Sequence, residues 1–232
     1  MKEQLDIKAT VLLGHGVYNI PEVARYTGLH HQRIRSWFST RLNEQAPSLF
    51  HSEYPIVNGD CAVSFLDLIE VFVAGQFRNS GMSLQSVRKM HAGLKELLRT
   101  NHPFCHDGLY TDGKRGFVEM TGQLGHGTHS EVLTRQQFFS EVILPHLRRI
   151  EYSKKTGLAA RWRMAHGVVI DPAVSLGKPV VESTGITTFV LSKCYWANDG
   201  DDSLAADLFS VHRSDVMNAV AFEEVYGLRR AA

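Results

Sequence analysis

Apolar residues recur at intervals of three and four in several stretches of the chain, and each such stretch predicts a helix with one buried face. The first is YNIPEVARYTGLHHQRIRSWF, residues 18–38. Ile20, Val23, Ala24 and Thr27 keep helical spacing, and Pro21 suits a first turn, where its missing N–H is no loss. Gly28 supplies the positive-φ stop, Leu29 plugs the turn, and a second helix from His31 to about Ser39 turns Ile34, Trp37 and Phe38 inward. Two short helices joined by a tight Gly turn form the helix-turn-helix pattern. Further on, SFLDLIEVFVAGQF places Phe65, Leu68, Ile69, Phe72, Val73 and Phe77 on one face, with Ser64 and Asp67 spaced as a capping box. Gly81 ends that helix, and Ser83 caps another on which Leu84, Val87, His91, Leu94 and Leu98 align.

The remaining stretches are shorter and more broken. Residues 41–62 carry Pro, Asn and Gly between short apolar runs and predict a hairpin-like connection, the candidate wing of a winged helix. TDGK predicts a hairpin turn between the strands GLYT and GFVEM. A helix is expected from Thr134 to about Ile150, kinked or ended by Pro145, and RRIEYSKKTGLAARWRM predicts a hairpin turning at Lys155-Thr156-Gly157. Asp171-Pro172 and Gly177-Lys178-Pro179 are turn elements ahead of three short helices. The first starts at Thr187 or Thr188 and runs through Leu191, Cys194 and Tyr195; the second is capped by Ser203 and carries Leu204, Ala205 and Leu208; the third starts near Arg213 and uses Val216, Ala219, Val220 and Glu223. The expected fold is mainly α with small β-hairpins (α+β). It divides into an N-terminal winged-helix-like unit with a helix pair over 1–100, an α/β-hairpin connector over 101–164 and a three-helix module over 165–232.

Charge changes this picture through its distribution. The net charge is only +1, but residues 18–41 hold Arg25, Arg33, Arg35 and Arg41 against Glu22 alone. With Ile34, Trp37 and Phe38 inward, Arg25, His31, Gln32, Arg33, Arg35 and Ser36 are candidate DNA contacts, groups able to bond base edges or phosphates. An amphipathic helix pair with a merely solvated polar face fits the same pattern. Arg148, Arg149, Lys154, Lys155, Arg161 and Arg163 form a second basic stretch, equally compatible with phosphate contact and with a plain surface strand pair. Residues 187–226 oppose Lys193 and Arg213 with Asp199, Asp201, Asp202, Asp207, Asp215, Glu223 and Glu224. Such a surface repels phosphate, so DNA reading belongs to the N-terminal unit.

Other chemistry is thin. With 44% hydrophobic and 21% charged residues, the 232-residue chain has an ordinary globular balance. Cys61, Cys105 and Cys194 form no C-x-x-C pair and suit a reducing compartment, and no run approaches the roughly 18 apolar residues of a membrane span. A cytoplasmic protein is expected. His102, Cys105, His106 and Asp107, with His126 and His129, are the candidate soft-metal ligands, but one Cys and an irregular spacing favour ordinary loop histidines, and neither metal nor cofactor is expected. GQLGHGTH lacks the Lys-Ser/Thr ending of a P-loop. No nucleophile–base–orienter set or useful carboxylate pair emerges, so an enzyme is not expected.

Two resemblances give these elements a function. YNIPEVARYTGLHHQRIRSWF resembles the opening of MerR-type regulators, with Ile34, Arg35 and Trp37 on the family's L-R-x-W/Y signature and His30 where a Ser or Thr cap is usual. That resemblance implies DNA contact by Arg35 and helix packing by Trp37. IDPAVSLGKPVVESTGI resembles the domain-of-unknown-function family 433, a three-helix, homeodomain-like module, with Thr184-Gly185 where that family has Thr-Arg. The two in this order are similar to VapB-type antitoxins. This implies an autorepressing antitoxin that binds double-stranded operator DNA, as a homodimer or higher even oligomer, and neutralises a PIN-like ribonuclease. The acidic module then serves dimerisation or toxin binding, and Arg229 or Arg230 of the terminal VYGLRRAA would enter the nuclease's acidic site. The alternative is a MerR-like ligand-sensing transcriptional regulator without a toxin, using the loop histidines and Cys105 as its sensor.

Overall fold

The computed structural model describes residues 14–38, 48–54, 61–111, 141 and 143–227. It is a mixed, mostly helical fold with one four-stranded antiparallel sheet. The chain forms two compact units, Asn19–Ala160 and a second made of Met1–Tyr18 with Arg161–Ala232.

In the first unit, α1 (Ile20–Thr27) begins at Asn19. Its carboxamide accepts the Glu22 N–H at 2.8 Å while the Glu22 carboxylate accepts the Asn19 N–H at 3.0 Å. Pro21 sits in the first turn, and Gly28 ends the helix at φ 72, where any side chain would strain the backbone. Leu29 then drops onto α3 (Phe65–Asn79) against Gly75, where a methyl group would lie 2.8 Å from the leucine Cδ1. The expected inner face of α3 is buried at all six positions, Phe65 to Phe77. Its start is the expected capping box, in which Asp67 N–H donates to Ser64 Oγ and Ser64 N–H to Asp67 Oδ2. Ser83 caps α4 (Leu84–Leu98), which buries Val87, Met90 and Leu94.

Several expectations are corrected here. GLYT is no strand: Gly108–Thr111 forms a helical turn, α5, whose Gly108 N–H donates to His106 Nδ1 at 3.0 Å. The described parts of 41–62 contain no hairpin strand, while 41–47 and 55–60, like GFVEM and GQLGHGTH, lie outside the described residues. Of the helix expected over 134–150, the described residues Glu141 and Ile143 are helical and lead into α6 (Leu144–Leu147), which carries Pro145 in its first turn. The hairpin after it does form: β1 (Ile150–Tyr152) and β2 (Ala159–Ala165) flank a turn that Gly157 closes with its N–H on Ser153 O at 2.8 Å.

The second unit holds two strands that the pattern does not predict, β3 (Val168–Ile170) and β4 (Pro179–Val181), buried throughout. The sheet runs β1-β2-β3-β4, with the border between the units falling inside β2. Three helices follow, α7 (Thr188–Ala197), α8 (Asp202–Phe209) and α9 (Arg213–Tyr226). Asp201, not Ser203, caps α8, because its carboxylate accepts the Leu204 N–H at 2.9 Å. Leu191, Ala219 and Val181 form one small core; Ala205, Ala206, Val216 and Val220 form another. The turn elements have defined work: Asp171 accepts the Ala173 N–H at 2.9 Å and pairs with Arg161 at 3.1 Å. Gly177 stands at φ 79, and its carbonyl accepts the hydroxyl of Tyr18 at 2.8 Å, 159 residues away in sequence.

This packing has two consequences for stability. A methyl group on Gly177 would lie 2.1 Å from the Tyr18 hydroxyl. Gly177→Ala should therefore lower stability by about 1–3 kcal/mol in urea unfolding, and Tyr18→Phe by roughly 0.5–1.5 kcal/mol. The double variant should lose less than the sum, since the Tyr18→Phe change removes the oxygen that the added methyl group would strike. The second concerns Asp67, whose carboxyl burial pushes up to about 6, against the Glu53 and Ser64 N–H groups that favour its charged form. A carboxyl raised in the folded state stabilises most when protonated, so its contribution is full below about pH 4 and fades as pH rises through about 6. Wild type should accordingly lose about 2–3 kcal/mol relative to Asp67→Asn between those pH values, read as paired urea midpoints.

Candidate nucleic-acid interface

α2 (His31–Phe38) has two faces of opposite chemistry. Its inner face is fixed by Ile34, Trp37 and Phe38, with the indole 1% exposed. Trp37 meets the ring of Phe50 edge-on at 6.1 Å, Phe38 meets it at 5.7 Å, and the Phe50 N–H donates to the Trp37 carbonyl at 2.9 Å. These contacts leave the helix one rotation. His31, Gln32, Arg33 and Arg35 are all exposed on the opposite side. Among the described residues no acidic side chain forms an ion pair with Arg33 or Arg35, so both cations face water.

The start of α2 has its own solution. His30, standing where a Ser or Thr is usual, accepts the Gln32 N–H on Nδ1 at 3.3 Å, while its carbonyl accepts from Arg33 and Ile34. That bond places the proton of a neutral His30 on Nε2. The His30 and His31 rings lie 4.3 Å apart at the exposed end. The two other candidates are less free. Ser36 is half-buried and donates its hydroxyl to the Arg33 carbonyl at 2.7 Å. Arg25 lies on α1 with its guanidinium 5.4 Å from the Tyr26 ring centre, a cation–π contact that holds it along the surface.

The other candidates are not assembled into this face. His102 Nε2 lies 3.1 Å from Glu53 Oε1, and His106 Nδ1 lies 3.1 Å from its neighbour Asp107. Cys105 is fully buried with its thiol on the Leu66 carbonyl, and burial pushes its pKa well up, the reverse of a reactive or metal-binding thiolate. Among the described residues no three His, Cys, Asp or Glu side chains converge as a metal site requires. Within the second basic stretch, Arg163 pairs with Glu182 at 2.7 Å and Arg161 with Asp171 and Glu182, so these two cations are already partnered. The acidic surface of the second unit keeps Asp201, Asp207 and Glu224 exposed, whereas Asp215 is buried and accepts the Ser183 hydroxyl at 2.8 Å. Arg229 and Arg230 lie outside the described residues.

The Asn19–Glu22 capping box was readable as N-x-x-E before an apolar run, but Pro21 alone marks that start in the sequence expectation. Phe50, which holds Trp37 in place, carries no periodic signal because its neighbours form no regular element.

No protein-family model matches the chain, and no curated protein matches its sequence. A similar fold is seen in the X-ray crystal structure of Rv2018 from Mycobacterium tuberculosis, at 20% identity and a TM-score of 0.71, covering 88% of this chain and 96% of that one. At that identity the likeness concerns the fold alone. Among the described residues no helix is long and apolar enough to cross a membrane.

The two faces of α2 should separate cleanly under mutation. Trp37→Ala should cost about 3–5 kcal/mol of stability, the range for deleting a buried aromatic. Arg35→Ala should stay within about 0.5 kcal/mol of wild type in the same unfolding experiment, as expected of an exposed substitution.

Proposed function

We propose that the protein is a DNA-binding antitoxin that reads its own operator through α2, represses its operon and neutralises a PIN-like ribonuclease. The observation that carries the DNA half is the exposed row His31, Gln32, Arg33 and Arg35, backed by an inner face that Trp37 locks. Arg can bond guanine in bidentate fashion and Gln can bond adenine, so the row holds the groups that direct base readout needs. In this reading α1 and α2 are the helix-turn-helix of a winged-helix-like unit, and α7, α8 and α9 are the homeodomain-like module. A homodimer would set two copies of α2 about 34 Å apart, one turn of DNA.

The toxin half is supported by the sequence resemblance and by the charge of α7–α9. An acidic surface is poorly suited to DNA and free to meet a protein partner. Arg229 and Arg230 remain the residues proposed to enter the nuclease's carboxylate cluster. The second reading, a ligand-sensing regulator without a toxin, shares the DNA half. It is favoured by one contact: Phe50, which holds Trp37, also meets the His91 ring of α4 edge-on at 5.4 Å.

Fluorescence anisotropy on DNA from upstream of the protein's own gene tests the DNA half. Arg35→Ala should weaken binding by roughly 1–3 kcal/mol, with relaxed preference at one base if the contact is to a base edge. If the contact is to phosphate, the loss should be uniform over sequences and the salt slope should flatten by about one unit. Unchanged affinity in a folded Arg35→Ala protein would overturn the assignment. Co-purification with the neighbouring gene's product tests the toxin half. Removal of residues 228–232 should release ribonuclease activity while leaving operator binding intact.

A further inference from the structure

Among the described residues, the large apolar side chains left exposed belong to the second unit, Leu97 apart, and on α9 they form a row. Met217 is 41% exposed and Val225 52%, and the exposed Ala221 stands between them, so the three line one face at i, i+4 spacing. The opposite face is ordinary core, with Val216, Ala219 and Val220 buried. Two of the helix's carboxylates are turned away from the outer face: Asp215 is buried, and Glu223 accepts the Thr188 hydroxyl. A surface helix keeps its polar residues outward, whereas one that is apolar on both faces has a partner on both. α9 follows the second pattern with only one side covered.

Two opposite charges stand at the margin of this row. At about 100° per residue, Arg213 and Glu224 fall on the same side of it, roughly 60–80° from Ala221. Asp202 takes Nε and Nη2 of Arg213, at 3.1 and 2.7 Å, and among the described residues Nη1 has no acceptor. Glu224 is exposed, and among the described residues no cation pairs with it. The two lie about 16 Å apart along the helix, at 1.5 Å per residue, too far to meet within one chain.

The row is symmetric about Ala221, and that symmetry selects its occupant. A two-fold axis through Ala221 lays a second α9 antiparallel on the first, a self-complementary contact. Met217 of each copy then meets Val225 of the other, and the small Ala221 side chains let the helices approach closely at the centre. The same axis swaps the two ends, so each Glu224 comes within about 7.5 Å, measured along the helix, of the other copy's Arg213. That is within reach of two long side chains. A partner of uniform charge would satisfy one of these groups and oppose the other. We propose that the outer face of α9 pairs with the same face of a second copy through Met217, Ala221 and Val225, with Glu224 accepting from Arg213 Nη1 across the pair. One helix face is smaller than a standard interface of about 1,600 Å², so the dimer is reversible and concentration-dependent. What it does on DNA rests on the proposed function; the pairing itself does not.

Sedimentation velocity of the full chain over a range of concentrations tests this. Wild type should dimerise reversibly, and Ala221→Glu, which sets two carboxylates face to face on the axis, should weaken the dimer at least tenfold. Oxidation with copper phenanthroline reads the register. Ala221→Cys should cross-link to itself, and a mixture of Met217→Cys and Val225→Cys proteins should cross-link to each other. Neither of those two alone should exceed wild type, which carries three cysteines of its own. A wild type that stays monomeric throughout would overturn the proposal and leave the face to a different protein. So would a dimer that Ala221→Glu leaves unchanged, or Met217→Cys cross-linking to itself as readily as Ala221→Cys does. Should Ala221→Glu fail to fold by circular dichroism, Glu224→Arg carries the test, with a several-fold loss expected and unchanged affinity overturning it. These measurements contain no DNA, so failure of operator binding leaves their outcome untouched.

Discussion

Burial of one indole governs the face that α2 shows to solvent. Trp37 cannot leave the interior without opening a large void, and Phe50 clasps it through both a ring contact and a backbone hydrogen bond. Eight residues of helix are too few to be stable by propensity alone, so their order comes from this packing. Once the indole is placed, every other residue of the helix follows at 100° steps, and the polar row has nowhere to point but outward. Recognition chemistry on the surface is thus set by an apolar contact beneath it.

The helices were legible where their buried positions repeat. On α3 the spacing of Phe65, Leu68, Ile69 and Phe72 and the Ser64–Asp67 box are both written locally, so the element and its start could be read together. β3 and β4 could not. Each has only three residues and is buried throughout, so no in-out alternation exists to detect. GLYT fails for a related reason: four residues hold no period, and a hydrogen bond from Gly108 to the preceding His106 decides the turn. The buried carboxylate was invisible as well. Nothing local says that Glu70 is inside, because the N–H that satisfies it comes from Phe104, 34 residues on.

The candidate DNA face was read from local pattern, and its outward residues stand where the periodicity puts them. Ser36 and Arg25 depart from the rest of that group because each has a neighbour within its own helix, the Arg33 carbonyl and the Tyr26 ring. The division of charge is likewise built in by sequence but moderated by pairing. Arg213 and Asp202 hold each other at 2.7 Å, and this pairing lowers the carboxyl's pKa and raises the guanidinium's. Arg161 and Arg163 are tied to Glu182 beside the sheet, whereas Arg33 and Arg35 on α2 stand exposed.

The bond between Tyr18 and Gly177 joins the opening of the chain to its last third. A ribosome delivers the chain from the N-terminus at about 5–20 residues per second, so Tyr18 waits for roughly 8–30 seconds of synthesis before its acceptor exists. In that interval residues 19–160 can fold as a unit of their own. The unit that holds β3 and β4 is therefore completed only after Gly177 has been made. A stalled or truncated product would present the α2 face and lack the unit that Tyr18 closes.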